Sequence, residues 1–301
     1  MSATFNRAPS IPEELVDAAA SGMLVVFIGA GISRLVGCPS WNEFASAVLN
    51  QLTPDIINYH EKSLIDSIPD PRKKLSIAKI LEQKHDIKID YKRIFNIDEP
   101  KSNIYEDINS LKCTFVTTNY DKLISPEISK TRPEKEWRFY KREDILRNKL
   151  DSQGSVIHLH GCVDDSKSMV ITTKDYLLHY VSEEIHAFLQ YMFESKTVLF
   201  LGYGLEEIEV LEYILKGSKQ LDSKERKMFI LQGFFNAEMS LFEKLKEYYD
   251  QSFNATLIGF PKDYIEYEQQ KDIIKDWLKE LSFSPLELVD ELKLMEEELN
   301  D

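Results

Sequence analysis

Six short runs of apolar, often β-branched residues punctuate the chain: Leu24–Ile28, Thr114–Thr118, Val156–Leu159, Val198–Leu201, Met228–Leu231 and Ala255–Ile258. Each stops at a cluster of small or polar residues. Near-continuous apolar runs of this length suit strands buried on both faces, as in a parallel sheet covered by helices. Between the runs the period becomes helical. Trp41, Phe44, Ala45, Val48, Leu49 and Leu52 recur at helical spacing, and similar patterns predict helices over Asp175–Phe193, Leu205–Leu215, Ala237–Tyr249 and Asp263–Leu281. Ser10 and Glu13 have capping-box spacing ahead of a short helix to Ser21. This alternation predicts an α/β fold: a doubly wound, mostly parallel Rossmann-like sheet of about six strands.

Two connections exceed a simple crossover. Roughly 85 residues separate the first run from the second, with helical patterns near 41–52, 73–84 and 101–112, so a helical insertion is expected over about 42–112. The polar stretch 122–154 has room for a short strand around Trp137–Tyr140. The chain divides into one domain over 1–284 and an acidic C-terminal helix over 285–301. That helix has Leu288, Val289, Leu292, Met295 and Leu299 on one stripe, a face suited to docking on its own domain, another subunit or a partner.

Composition narrows the class. The 301 residues are 43% hydrophobic and 29% charged, which is globular rather than disordered. Lys and Arg number 37 against 51 Asp and Glu, and the net charge of −14 opposes direct binding to a nucleic-acid backbone. The tail from Ser284 holds seven of those acids against one lysine, so the rest is only moderately anionic. Cys38, Cys113 and Cys162 form no C-x-x-C pair, which argues for a reduced, cytoplasmic protein without a four-cysteine zinc module. The longest mostly apolar stretch, Ala18–Ile32, is shorter than the ~20 residues of a membrane span and follows Glu13, Glu14 and Asp17. No membrane association is expected.

The candidate chemistry lies where the runs stop. In an open parallel sheet, ligands bind outside the carboxyl ends of the strands. Gly29-x-Gly31 permits a tight turn and close approach of backbone amides to a pyrophosphate, or is a plain glycine turn. The dinucleotide fingerprint wants a small residue three positions after Gly31, where Arg34 stands, and the next helix is expected only from Ser40 or Trp41. Ser33 can bind a phosphate or cap a turn. Asn119 and Asp121 suit a ribose, a water, an amide or an Asx turn. His158 and His160 share a face if the strand persists, with His160 at the rim beside Gly161, where a glycine leaves room for substrate. No further metal ligands have recognisable spacing, and no metal is expected. His60, His85, His179 and His186 read as surface or packing residues. Gly202-Tyr203-Gly204 gives another thin strand end, followed by Glu206, Glu207 and Glu209 for ribose hydroxyls or a solvated helix start. Trp41 suits a nucleotide face or the core.

Taken in order, Gly29-Ala30-Gly31-Ile32-Ser33 with Gly37 and Pro39, Thr118-Asn119-Tyr120-Asp121, and Leu159-His160-Gly161 resemble the sirtuin family. Leu199-Phe200-Leu201-Gly202-Tyr203-Gly204 and Ile171-Thr172-Thr173-Lys174-Asp175-Tyr176 resemble its bacterial branch found in antiphage defence. The resemblance covers roughly residues 12–265. Sirtuin deacylases carry a zinc ribbon of two cysteine pairs after the histidine, a Phe-Arg pair where this chain has Ser40-Trp41, and Gln where it has Thr118. The resemblance therefore implies NAD as a consumed substrate, cleaved to nicotinamide and ADP-ribose. It implies Asn119 on the ribose or attacking water, His160 as general base, and Asp121 on nicotinamide or bracing its loop. Gly29, Ala30, Gly31 and Ser33 would cradle the pyrophosphate, and Gly202, Tyr203 and Gly204 would line the other ribose. It also implies a defence effector held inactive until a separately encoded trigger acts, a helicase-like ATPase being one candidate, while the apolar stripe of the C-terminal helix adds the expectation of a homo-oligomer. Protein deacylation and turnover-free sensing of NAD or ADP-ribose are the alternatives.

Overall fold

A computed structural model of the chain describes residues 5–131, 134–203 and 227–281. The strands are β1 (Leu24–Ile28), β2 (Thr114–Thr117), β3 (Arg138–Phe139), β4 (Val156–His158), β5 (Thr197–Leu201), β6 (Met228–Phe234) and β7 (Ala255–Pro261). They form one sheet in the order β3-β4-β2-β1-β5-β6-β7, and every neighbouring pair is parallel. The doubly wound α/β expectation holds, with seven strands in place of six. The seventh is β3, a two-residue edge strand inside the polar stretch, where a short strand was expected around Trp137–Tyr140.

Period-two alternation splits the sheet between two cores. Val25, Phe27, Val116, Ile157, Val198 and Phe200 face one way, clustered with Phe188 and Phe193. Leu24, Val26, Ile28, Phe115, Leu199 and Leu201 face the other, with Leu15 and Trp277. The described helices, in chain order, are α1 (Glu13–Ala20), α2 (Ala30–Val36), α3 (Trp41–Leu52), α4 (Tyr59–Asp66), α5 (Pro71–Lys84), α6 (Tyr91–Phe95), α7 (Ile104–Asn109), α8 (Glu127–Lys130), α9 (Thr173–Tyr180), α10 (Glu183–Ser195), α11 (Met239–Phe253) and α12 (Gln269–Leu281). The first core takes α10 and the second takes α1 and α12.

A third core belongs to the long first connection. Phe44, Val48 and Leu49 of α3 and Leu75 of α5 pack with Tyr120, Cys162, Val163 and Met169, so these helices sit over loops that leave β2 and β4. Helix α7 falls within the expected insertion range yet packs on the sheet through Ile104 and Ile108.

Four local expectations change. Helix α2 begins at once after β1, with Gly29 as N-cap, and Gly37 in the left-handed region ends it before Ser40 caps α3. Seven residues between glycines carry too little periodicity to register. Helix α1 starts behind Pro12, and no side chain caps it. The helix expected over Asp175–Phe193 breaks at Val181 and Ser182, where Ser182 caps α10. Helix α12 starts at Gln269 rather than Asp263. The helix expected over Leu205–Leu215, Gly204, Glu206, Glu207, Glu209 and the acidic tail lie outside the described residues.

Candidate functional site

Two glycine turns meet where β1 and β5 end. The N–H groups of Gly29 and Gly31 donate to the carbonyls of Leu201 (2.8 Å) and Gly202 (2.9 Å). A Cβ on Gly31 would lie 2.6 Å from the Gly202 oxygen, and one on Gly202, at φ +65°, would lie 2.4 Å from the Ile32 nitrogen. Backbone contact between the turns thus accounts for both glycines without a ligand. Ala30 lines the adjoining pocket, and its N–H has no backbone acceptor among the described residues.

Beside this contact, the end of β2 feeds a buried polar network. Thr117 donates its hydroxyl to Ile28 O (2.8 Å) and accepts from Asn119 N–H (3.0 Å), which bends the chain back toward β1. Asn119 Nδ2 donates to Gly29 O (3.1 Å) and Ser33 Oγ (2.8 Å). A carbonyl can only accept, so this assigns Nδ2 and leaves Oδ1 for a ligand. Ser33 donates to Asp121 Oδ2 (2.8 Å), and Leu123 N–H donates to Oδ1 (3.0 Å). With its one hydrogen on Asp121, Ser33 must accept the Tyr105 hydroxyl at 2.9 Å. The Ser33 hydroxyl is therefore fully used inside the protein.

Burial pushes the Asp121 carboxyl above its ordinary value, opposed by the Ser33 and Leu123 bonds. It also pushes the Cys38 thiol up to about 12, helped by the Asp121 charge. Cys113 and Cys162 are also buried, free and raised. None of the three is a ready thiolate nucleophile. The network and an aromatic wall enclose a cavity of about 40 Å³, lined by Ala30, Ser33, Asn119 and Asp121 with Trp41 and Phe95. Small-molecule sites typically measure about 300–1,000 Å³, so this pocket is too small to take a dinucleotide as it stands. Trp41 and Phe95 both pack on Tyr120, each at 5.8 Å between ring centroids.

The two histidines of β4 and its rim part company. Arg138 of β3 donates Nη1–H to His158 Nε2 (3.0 Å), so the His158 proton sits on Nδ1 and is donated to Asn119 O (2.9 Å). Burial and the Arg138 charge hold this imidazole neutral, at a pKa of about 3. His158 is thereby a brace for the Asn119 loop. The shared face expected for His158 and His160 is lost because β4 ends at His158. His160 bonds through Nε2 to the Tyr180 hydroxyl (2.7 Å) and packs edge-on to Tyr176 and His179. Its Nδ1 is buried without a partner, and its pKa falls to about 3 through burial and the nearby His179 and Arg72. Gly161 does not open space for substrate: a Cβ there would lie 2.2 Å from Ser168 O, because the 161–170 loop doubles back.

The structure brings Ala30, Ser33, Asn119 and Asp121 to one pocket and leaves His160 outside its lining. Gly29, Gly31 and Gly202 form the adjoining turns, and Tyr203 is buried against Phe27 and Phe200. Sequence reasoning missed Tyr105, Thr117, Arg138 and Tyr180, which hold the candidate residues through hydroxyls and a guanidinium that no local spacing announces. Of the two roles open to His179, surface or packing, the structure gives packing: this side chain is buried 5.7 Å from the His160 ring. Among the described residues no three His, Cys, Asp or Glu side chains gather to hold a metal, and no helix is long and apolar enough to cross a membrane.

Residues 113–255 match the SIR2-like domain family. That span contains Asn119, Asp121, His160 and Gly202, while the Gly29–Ser33 turn precedes it. The chain is also 26% identical over 231 residues to Defense-associated sirtuin 2 of Bacillus subtilis, a match that takes in 72% of this chain and 22% of that protein. The chain thus spans about a fifth of the curated relative's length. Both comparisons support the sirtuin-like antiphage-defence resemblance of the motifs.

Proposed function

We propose that this chain binds NAD and hydrolyses its nicotinamide–ribose bond, as an NAD-depleting effector of antiphage defence. The observation that carries the reading is the Ser33–Asn119–Asp121 network, which holds the Asn119 side chain at the end of the central strands, beside Ala30 in the same pocket. Asn119 Oδ1 accepts from a ribose hydroxyl or the attacking water. The Ala30 amide meets the pyrophosphate.

In the reaction, the glycosidic bond breaks with its electron pair passing to the nicotinamide nitrogen, and water oxygen bonds to the ribose carbon. The released proton needs a base. His160 is neutral at pH 7, and as a base it must present Nδ1 bare, which requires Nε2–H to donate to the Tyr180 oxygen. Substrate entry needs the aromatic wall over the roughly 40 Å³ pocket to withdraw, and a base role for His160 needs the opened pocket to reach its ring. A resting pocket too small for the substrate suits an effector awaiting a trigger, whether self-assembly or a helicase-like ATPase.

Purified protein, alone and with candidate triggers, is assayed for nicotinamide release from NAD without any peptide. Wild type is expected to release nicotinamide and ADP-ribose, and Asn119→Ala and His160→Ala to lose at least ~100-fold in turnover. Turnover surviving both substitutions overturns the residue assignment. Acyl transfer from a lysine peptide to ADP-ribose would replace hydrolysis with deacylation.

A further inference from the structure

A second cavity, of about 430 Å³, opens beside the end of β4 and shares no lining residue with the Asn119 pocket. Its volume lies within the range of about 300–1,000 Å³ typical of small-molecule sites. Ile145, Leu159 and Val170 give it an apolar wall. Lys141, Arg142 and Lys167 line it as well, and among the described residues no ion pair or hydrogen bond engages their charged groups. Two acids, Glu143 and Asp165, share the lining and leave a cationic excess.

A second observation points to a ligand. His179 lines the cavity, is only 2% exposed, and its Nε2 is buried without a partner. Buried polar atoms are nearly always satisfied, so an orphan on a cavity-lining side chain marks a place for a ligand atom. The ring is neutral, because burial and the Arg142 charge hold its pKa to about 4. A neutral imidazole can donate Nε2–H to an anion. A guanidinium and two ammonium groups match the charge and oxygen count of a phosphate better than those of a single carboxylate.

We propose that this cavity is a second ligand site for an organic phosphate of nucleotide size. Arg142, Lys141 and Lys167 take the phosphate, His179 donates to it, and the organic part lies on Ile145, Leu159 and Val170. The site is independent of the NAD reading, which is tested by nicotinamide release rather than by binding here.

The test is calorimetry on the full chain with ADP as probe and inorganic phosphate as comparison. Wild type is expected to bind ADP saturably below about 1 mM and more tightly than phosphate. Arg142→Ala and Lys167→Ala, both exposed positions, are each expected to weaken ADP by about tenfold or more. Asn119→Ala is expected to retain it. No saturable ADP binding by about 1 mM overturns the proposal. So does affinity that survives both cation substitutions, affinity lost in Asn119→Ala, or phosphate binding as tight as that of ADP.

Discussion

Ser33 is the residue on which the candidate site turns. It gives its one hydrogen to Asp121 and accepts from Asn119 and Tyr105, all in a buried setting. Ser33→Ala leaves a buried carboxylate, an amide hydrogen and a phenol each short of a partner, and the unmade bonds cost more than the serine contributed. The expected loss is about 1–3 kcal/mol in urea unfolding, with a fall in NAD turnover if Asn119 swings away. A change below about 0.5 kcal/mol would mean that water replaces the hydroxyl. Ser33, Asn119 and Asp121 were legible as candidates because each stands where an apolar run ends. Their partnership was not, because spans of 86 and 88 residues separate Ser33 from Asn119 and Asp121. His158 shows the same limit. Its sequence neighbours allow a metal pair or a structural role, and only Arg138, arriving on β3, decides for the structural role.

At the scale of elements, β1, α2 and β5 meet through bare backbone, and the glycines that allow it can be tested against a neighbour. Gly22 and Gly202 both have positive φ, +69° and +65°, so alanine strains either. At Gly22 the nearest atom to a new Cβ is the Gln153 side chain at 3.5 Å, an ordinary contact, whereas at Gly202 it is the Ile32 nitrogen at 2.4 Å. Gly22→Ala therefore reads the conformational cost alone, about 1 kcal/mol, and Gly202→Ala adds a backbone clash of about 1–3 kcal/mol. Equal melting temperatures for the two variants would show that α2 yields easily. The sheet itself was readable because strands buried on both faces leave unbroken apolar runs. The short helix α2, seven residues long, was not, whereas the two-residue β3 falls inside the range expected for a short strand around Trp137–Tyr140. The break between α9 and α10 also hid, since the Ser182 cap interrupts a period that otherwise continues.

Over the whole molecule, burial around β4 couples stability to pH. His158 and His160 are held to pKa values of about 3 and His179 to about 4, against about 6.5 in an unfolded chain. The unfolded chain thus takes up protons first. The stability tied to these groups is fully present above about pH 6.5 and is lost as pH falls toward 4. Each imidazole contributes up to ~1.4 kcal/mol per pH unit within that window. Asp121 works in the opposite sense, since its folded value is raised and its native form gains protons as pH falls. Three groups oppose one, so the urea midpoint is expected to drop from pH 7.5 to pH 5 by more than a single titrating histidine allows. A flat midpoint over that interval would mean that water reaches the imidazoles. It would also make His160 the stronger base, because an imidazole near its ordinary value is mostly unprotonated at neutral pH and takes up a proton more readily than one held at about 3.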